Sequence, residues 1–248
     1  MLIIFKNLQI WVTISLICLF LSWSFPAQAD IKIDPKLEQQ VLEIIRQNPK
    51  AIIESVQVYQ QEQQQKVQQK RQSFLQDLRR NPQAIIGDSP TTGAKQFQTV
   101  LLEFSDFECP YCAEAQKTLK SLLAKYPNQL TLVYKNFPLV QIHDQALPAA
   151  KAAYAAEQQG KFWQYHDALF ANQEKLGESL YLDIAKNLNL DLEQFKRDRN
   201  LADTAIQKDI QLANTLGLSG TPSFIINGKN VSGLVKLSEI EGILTVDK

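Results

Sequence analysis

Apolar and polar positions along this chain switch repeatedly between helical and strand-like spacing. From Asp34 onward, Leu37, Val41, Ile44 and Ile45 fall on one helical face, which Asn48-Pro49 interrupts. Asp34 suits an N-cap and Pro35 the first helical position. A longer helix follows, with Ile52, Val56, Tyr59, Val67, Phe74 and Leu78 at helical spacing. Between Gln60 and Gln72 its only apolar residue is Val67, so such a helix is expected to bury little against its own domain. Two readings stay open: a solvated linker helix, or an oligomerisation stalk whose seam includes glutamines. Asn81-Pro82 and the run from Gly87 to Gly93 mark the end of the stalk and a linker.

Beyond Lys95 the period shortens. Residues 97–104 form a compact apolar run rich in strand formers, and Leu130 to Tyr134 form a second. Between them, from about Cys109 to Lys125, Ala115, Leu119, Leu122 and Leu123 give one apolar helical face. Strand, helix, strand over so short a span is a βαβ unit with a parallel, buried pair. From Gln145 to about Leu216 there is no strand signal, and the segments 146–156, 160–170, 181–188, 192–197 and 201–216 read as short helices. Ser223 to Ile226, then Asn227-Gly228, then Val231 read as a hairpin, and a last helix is expected at about Leu237 to Leu244. This order describes an α/β, thioredoxin-like fold with a helical insertion at about residues 145–216, preceded by an N-terminal helical stalk. Residues 30–88 are expected as the helical extension and residues 89–248 as the domain.

The start of the chain has another character. Lys6 is the only charged side chain before Asp30, and Ile10 to Leu21 is apolar throughout apart from Thr13 and Ser15. A basic start, an apolar run and the small pair Ala27/Ala29 read as a secretory signal over residues 1–29, cut after Ala29. An uncleaved N-terminal membrane anchor is the alternative. Cys18 sits between Ile17 and Leu19, where a lipoprotein signal would want a small residue before the cysteine. Loss of this segment leaves Cys109 and Cys112 as the whole cysteine content of a protein delivered to a periplasmic or equivalent oxidising compartment. Composition adds exclusions. With 26 basic and 26 acidic side chains among 248 residues, no global field exists to hold a nucleic acid. A mean hydropathy of −0.21 excludes a polytopic membrane protein.

Cys109-Pro110-Tyr111-Cys112 could do three things. Zinc would need two further ligands, and only His143 and His166 remain, both placed in the helical block. A structural disulfide closing so short a loop would constrain the unfolded chain little. Redox work is what a C-x-x-C beside a βαβ unit signals. Cys109 at the helix start would be the accessible thiol of lowered pKa, stabilised by unpaired N–H groups. Pro110 at the first helical position sacrifices no hydrogen bond. Cys112, one turn in, would be the more buried, resolving thiol. Glu103 interrupts the apolar strand run; either it is a solvated strand end, or it is a partly buried acid of raised pKa that relays protons with Cys112. Asp106 and Glu108 lie in the loop, where solvation is expected. Thr221-Pro222 precedes a strand that proline cannot enter in its middle. His143 and His166 are expected to serve the helical block structurally, and Trp163 to lie in the core. Neither a cofactor nor a metal is expected.

Three separated segments, EFSDFECPYC at 103–112, FPLVQIHDQALPAAKAAYAAEQQGKFWQYHDALF at 137–170 and GTPSFIINGKNVSG at 220–233, together resemble the DsbA-type thiol:disulfide oxidoreductases over about residues 99–244. The resemblance implies Cys109 as nucleophile, Cys112 as resolving cysteine and Glu103 as buried acid. It also implies Thr221-Pro222 as a cis-proline pair that, with Pro110 and Tyr111, faces the substrate. It further implies an exported enzyme that forms or isomerises disulfides in secreted cysteine-containing proteins and works with a membrane redox partner. Residues 34–88 more weakly resemble the N-terminal extension of suppressor-of-copper-sensitivity protein C, a group with oligomeric isomerases; this implies a homo-oligomer through residues 34–82. Strong oxidants of this family carry histidine where Tyr111 stands, which implies a milder oxidant or an isomerase. A reductase kept reduced by a membrane donor and a holdase-like chaperone are the alternatives.

Overall fold

The strand runs expected from the pattern form the centre of a five-stranded sheet. The protein is described here from a computed structural model, in which residues 34–97, 99–226, 229–232 and 240–242 are described. The signal segment, the 227–228 turn and most of the last helix lie outside them; residues 240–242 are helical. The chain packs as two units, residues 1–59 and 60–248.

In the first unit, helix α1 (Pro35–Gln47) is capped by Asp34, whose carboxylate accepts from Lys36 N–H at 2.9 Å. Asn48 ends it, and Pro49 opens α2 (Pro49–Arg80). Leu37, Val41, Ile44 and Ile45, and then Ile52, Val56 and Tyr59, are exposed.

The boundary falls inside α2, earlier than the expected end of the extension at residue 88. Phe74 and Leu78 are buried in one core with Ile86, Val100, Leu102, Phe104, Val133 and Ile225. The expectation that the long helix buries little, with Phe74 and Leu78 serving a seam between chains, is therefore corrected for its C-terminal turns. Those turns cover the sheet of their own unit. Helix α3 (Pro82–Ile86), capped by Asn81, follows. The expected linker at 87–93 holds strand β1 (Thr91–Gly93). Its glycine is required, since φ is +91° and a Cβ would stand 2.2 Å from Leu130 O.

Strand β2 (Thr99–Ser105), helix α4 (Pro110–Lys125) and strand β3 (Leu130–Asn136) form the βαβ unit. The sheet order is β1-β3-β2-β4-β5, with β4 (Ser223–Ile226) and β5 (Lys229–Ser232) as the hairpin. Only β2 and β3 are parallel, in the register Glu103 opposite Tyr134. Both are buried along their whole length, which is why they read as continuous apolar runs. Leu101, Leu132, Phe224 and Ile226 pack on Ala115, Leu119 and Leu122 of α4; the opposite face takes α2 and α9 (Asp203–Thr215).

The insertion is helical, as expected: α5 (Ala146–Glu157), α6 (Phe162–Ala171), α7 (Glu178–Asn187), α8 (Leu192–Leu201) and α9. The alanines of α5 pack against Phe162, Tyr165, Phe195 and Phe107. Small side chains here let helices approach closely around aromatic neighbours. His166 is buried among Phe107, Tyr134, Phe162, Trp163 and Phe170, a structural setting as expected. Trp163 is only partly buried and donates its indole N–H to Thr91 O at 2.8 Å, which ties α6 to β1.

Candidate active site

The βαβ unit places the motif where β2 hands over to α4. Cys109 is the N-cap of α4 in extended conformation, with Pro110 first in the helix. Cys112 N–H and Ala113 N–H donate to Cys109 O at 3.1 and 3.2 Å, closing the first turn and setting both side chains on one side of it. Both cysteines are free thiols. Cys112 is fully buried, as expected, but Cys109 is only 3% exposed, against the expectation of an accessible thiol. Tyr111 is the open residue of the motif, at 59% exposure.

Across from the motif, the Thr221–Pro222 bond is cis, as the resemblance implied, and Cys109 Sγ donates to Thr221 O at 3.4 Å. The two thiols are driven apart in acidity. Cys109 is lowered to about 5, chiefly because the Cys112 thiol hydrogen-bonds its sulfur; burial opposes this, and the Thr221 hydroxyl and the Cys112 and Tyr111 N–H groups add to it. The helix start thus helps, but the facing thiol does more. Burial pushes Cys112 far above the ordinary thiol range, and the neighbouring Cys109 sulfur adds to that. A reactive thiolate beside a held proton is the division of labour that dithiol exchange requires.

Glu103 is fully buried, not a solvated strand end. Its Oε1 accepts from Gln116 Nε2 at 2.9 Å, while Oε2 has no aligned partner. Burial raises its pKa to about 7, with the Ser105 hydroxyl and the Gln116 amide pulling the other way. Such an acid can hold or release a proton near neutrality. Tyr134, its register partner on β3, and Ser105 are buried on the same face, with hydroxyls that lack aligned partners.

Asp106 corrects a further expectation. It is buried at 1% exposure, not solvated, because its carboxylate accepts from Glu108 N–H at 2.8 Å and Leu139 N–H at 2.9 Å and faces His143 Nδ1 at 2.8 Å. Glu108 is half-buried and accepts from Gln145 N–H. His143 therefore belongs to this loop and not to the helical block. Gln173, on the turn Gln173–Lys175 of the insertion, donates to Phe107 O at 2.8 Å and Cys109 O at 2.9 Å, so the insertion pins the loop that leads into the motif. Gln116 and Gln173 were missed by sequence reasoning. Gln116 was legible, standing four residues after Cys112 on the same helical face. Gln173 was not, since nothing local marks it. No cluster of metal-ligating side chains exists among the described residues.

Residues 86–245 match the thioredoxin family. A thioredoxin-like oxidoreductase from Silicibacter pomeroyi DSS-3 superposes with a TM-score of 0.61 at 32% identity, over 67% of this chain and 96% of that one. ScsC from Proteus mirabilis, at 22% identity, superposes over 87% of this chain and 98% of its own, with a TM-score of 0.60. The thiol-disulfide exchange protein alpha-DsbA2 from Wolbachia pipientis gives 0.63 at 20% identity, over 72% of this chain and 97% of that one. These last two likenesses are of fold. Among curated relatives, the Na(+)/H(+) antiporter NhaA 3 of Salinispora tropica is 38% identical over 145 residues, 57% of this chain and 22% of that protein. The chain spans about a fifth of that antiporter's length, so the likeness is to one part of it. With the family match covering most of the chain and a cysteine pair set between strand, helix and cis-proline, this protein belongs to the thioredoxin family.

Proposed function

We propose that this protein is an exported thiol:disulfide oxidoreductase that forms or isomerises disulfides in secreted proteins through Cys109 and Cys112. The opposite acidity of the two thiols, lowered at Cys109 and raised at Cys112, carries the reading. In the oxidising direction a client thiolate attacks Cys109 of the Cys109–Cys112 disulfide. Cys112 leaves and takes a proton from Glu103. A second client thiolate then attacks the client sulfur of the mixed disulfide and releases Cys109 as its stabilised thiolate. Two electrons pass from client to enzyme, and a membrane redox partner removes them. In the isomerising direction the Cys109 thiolate opens a client disulfide and a different client thiol expels it.

A stabilised thiolate favours the reduced form and makes the disulfide oxidising, which argues against a dedicated reductase. Tyr111, Val140 and Ile142 are exposed; the last two lie on the loop that Asp106 and Glu108 hold beside the motif. They offer apolar surface for partly folded cysteine-containing clients. Export rests on the basic and apolar pattern of residues 1–29; no helix of the described residues is long and apolar enough to cross a membrane.

Isomerase activity gains support from the exposed apolar stripe Leu37, Val41, Ile44 and Ile45, with Ile52, Val56 and Tyr59, which suits a homo-oligomer through the 34–59 part of the expected 34–82 segment. The reactivation of scrambled ribonuclease and the oxidation of reduced ribonuclease, each followed with the disulfide form and the dithiol form, test the proposal. Activity in either assay that is lost in Cys109→Ser supports it. Suppression of client aggregation that survives Cys109→Ser, with neither activity present, would make the protein a holdase.

A further inference from the structure

The two residues between the cysteines, Pro110 and Tyr111, carry no positive charge. Asp106 anchors residues 139–143 through Leu139 N–H and His143 Nδ1, Glu108 anchors Gln145, and Cys109 N–H donates to Asp106 O at 3.1 Å. The loop bearing His143 is thereby stitched to the three residues that lead into Cys109. The His143 side chain is largely covered, at 17% exposure, and its Nδ1 faces a carboxylate with no solvent exposure. A buried carboxylate accepts, so Nδ1 carries a proton and Nε2 is left to gain or lose one.

We propose that His143, held by Asp106, is the electrostatic partner of Cys109, its imidazolium stabilising the thiolate from outside the C-x-x-C motif. This rests on the redox reading of Cys109. Asp106 is in contact with His143, and Cys109 and Glu108 stand in the same stitched loop region, where their negative charge acts on the ring. Burial lowers its proton affinity, the Asp106 bond and charge raise it, and Cys109 and Glu108 raise it further; the net direction is up from the ordinary 6.5. The Asp106 contact and the upward direction of the shift both favour the charged ring beside the Cys109 thiolate. Coupling of two sites is reciprocal, so whatever the thiolate does for the imidazolium, the imidazolium does for the thiolate. Oxidation to the disulfide removes the anion and must lower the affinity of His143 for its proton. His143 acts through Cys109 and is a positioning residue; it touches no client atom in the scheme above.

The chain has two histidines, so ring-proton NMR titration of the intact protein in its dithiol and disulfide forms reads the coupling directly. His143 is expected to titrate higher in the dithiol form by about half a unit, a roughly threefold change in proton affinity. The same pKa in both forms overturns the proposal. His143→Gln keeps a hydrogen bond to Asp106, assigns the resonance and supplies a second arm. Its Cys109 alkylation midpoint should move up by the same amount, and an unmoved midpoint also overturns the proposal. Should that variant not fold, the wild-type titration still decides. A wild-type Cys109 that alkylates with an ordinary midpoint of about 8.5 defeats the redox reading itself, a result distinct from the loss of His143 coupling alone.

Discussion

Gln116 Nε2 donates to Glu103 Oε1 at 2.9 Å, across the junction between α4 and β2. Gln116 stands one helical turn after Cys112, so the helix that carries the resolving thiol also orients the Glu103 carboxylate.

Glu103→Gln tests the role of that acid through pH. A carboxyl raised by burial to about 7 holds its proton more tightly folded than unfolded. Its contribution to stability is complete below the unfolded value near 4.5 and is lost as pH rises through about 7. The disulfide form of the wild type should therefore lose on the order of 2–3 kcal/mol of stability between pH 4.5 and 7.5 that the glutamine variant keeps. Urea unfolding at the two pH values checks this, and parallel wild-type and variant profiles would contradict a raised Glu103.

Cys109 works in the opposite sense. An acid lowered from 9.0 to about 5 adds stability that is complete above the unfolded value and lost as pH falls through about 5. Only the dithiol form has this group. The dithiol form should gain on the disulfide form, in melting temperature, as pH is raised from 5 to 7.5, and Cys109→Ser should abolish the gain. Iodoacetamide labelling should find Cys109 with a midpoint near 5 and leave Cys112 unmodified in the folded protein.

Gln173→Ala removes the side chain that joins the insertion to Phe107 O and Cys109 O. Phe107 O in a covered loop loses this donor, at a cost of about 1–3 kcal/mol, while Cys109 O keeps the N–H groups of Cys112 and Ala113. Amide exchange in residues 106–109 should quicken in the folded protein, while α8, remote from this link, should keep its protection. Unchanged exchange in the loop would mean that the link carries little.

Leu78→Ala and Val56→Ser separate core from stripe. Leu78 is 3% exposed, and its truncation should destabilise the 60–248 unit by about 2–5 kcal/mol. Val56 is exposed, and its change should leave unfolding of that unit unaltered while weakening self-association in light scattering. A chain shortened to start at Ser89 lacks Phe74, Leu78 and Ile86 and should fail to fold cooperatively, whereas one starting at Gln60 should fold.

The sequence by itself determined what depends on local spacing. Asp34, Asn48-Pro49 and Asn81 mark helix ends because their side chains and missing N–H groups act within a few residues. The strands β2 and β3 were legible because burial on both faces leaves no polar alternation, and Cys109 to Cys112 because one helical turn sets the motif's geometry. Tertiary structure decided the rest, for reasons of packing. Strand β1 is three residues long and exists through pairing with β3, so its segment read as linker. Phe74 and Leu78 have the spacing of a seam in either role, and only the sheet beside them shows which surface they cover. Asp106 looked solvated because nothing within its own loop fills its carboxylate; its neutralising partners arrive from residues 139 and 143. His143 lies 37 residues from Asp106 in sequence, and only folding brings its ring to that carboxylate.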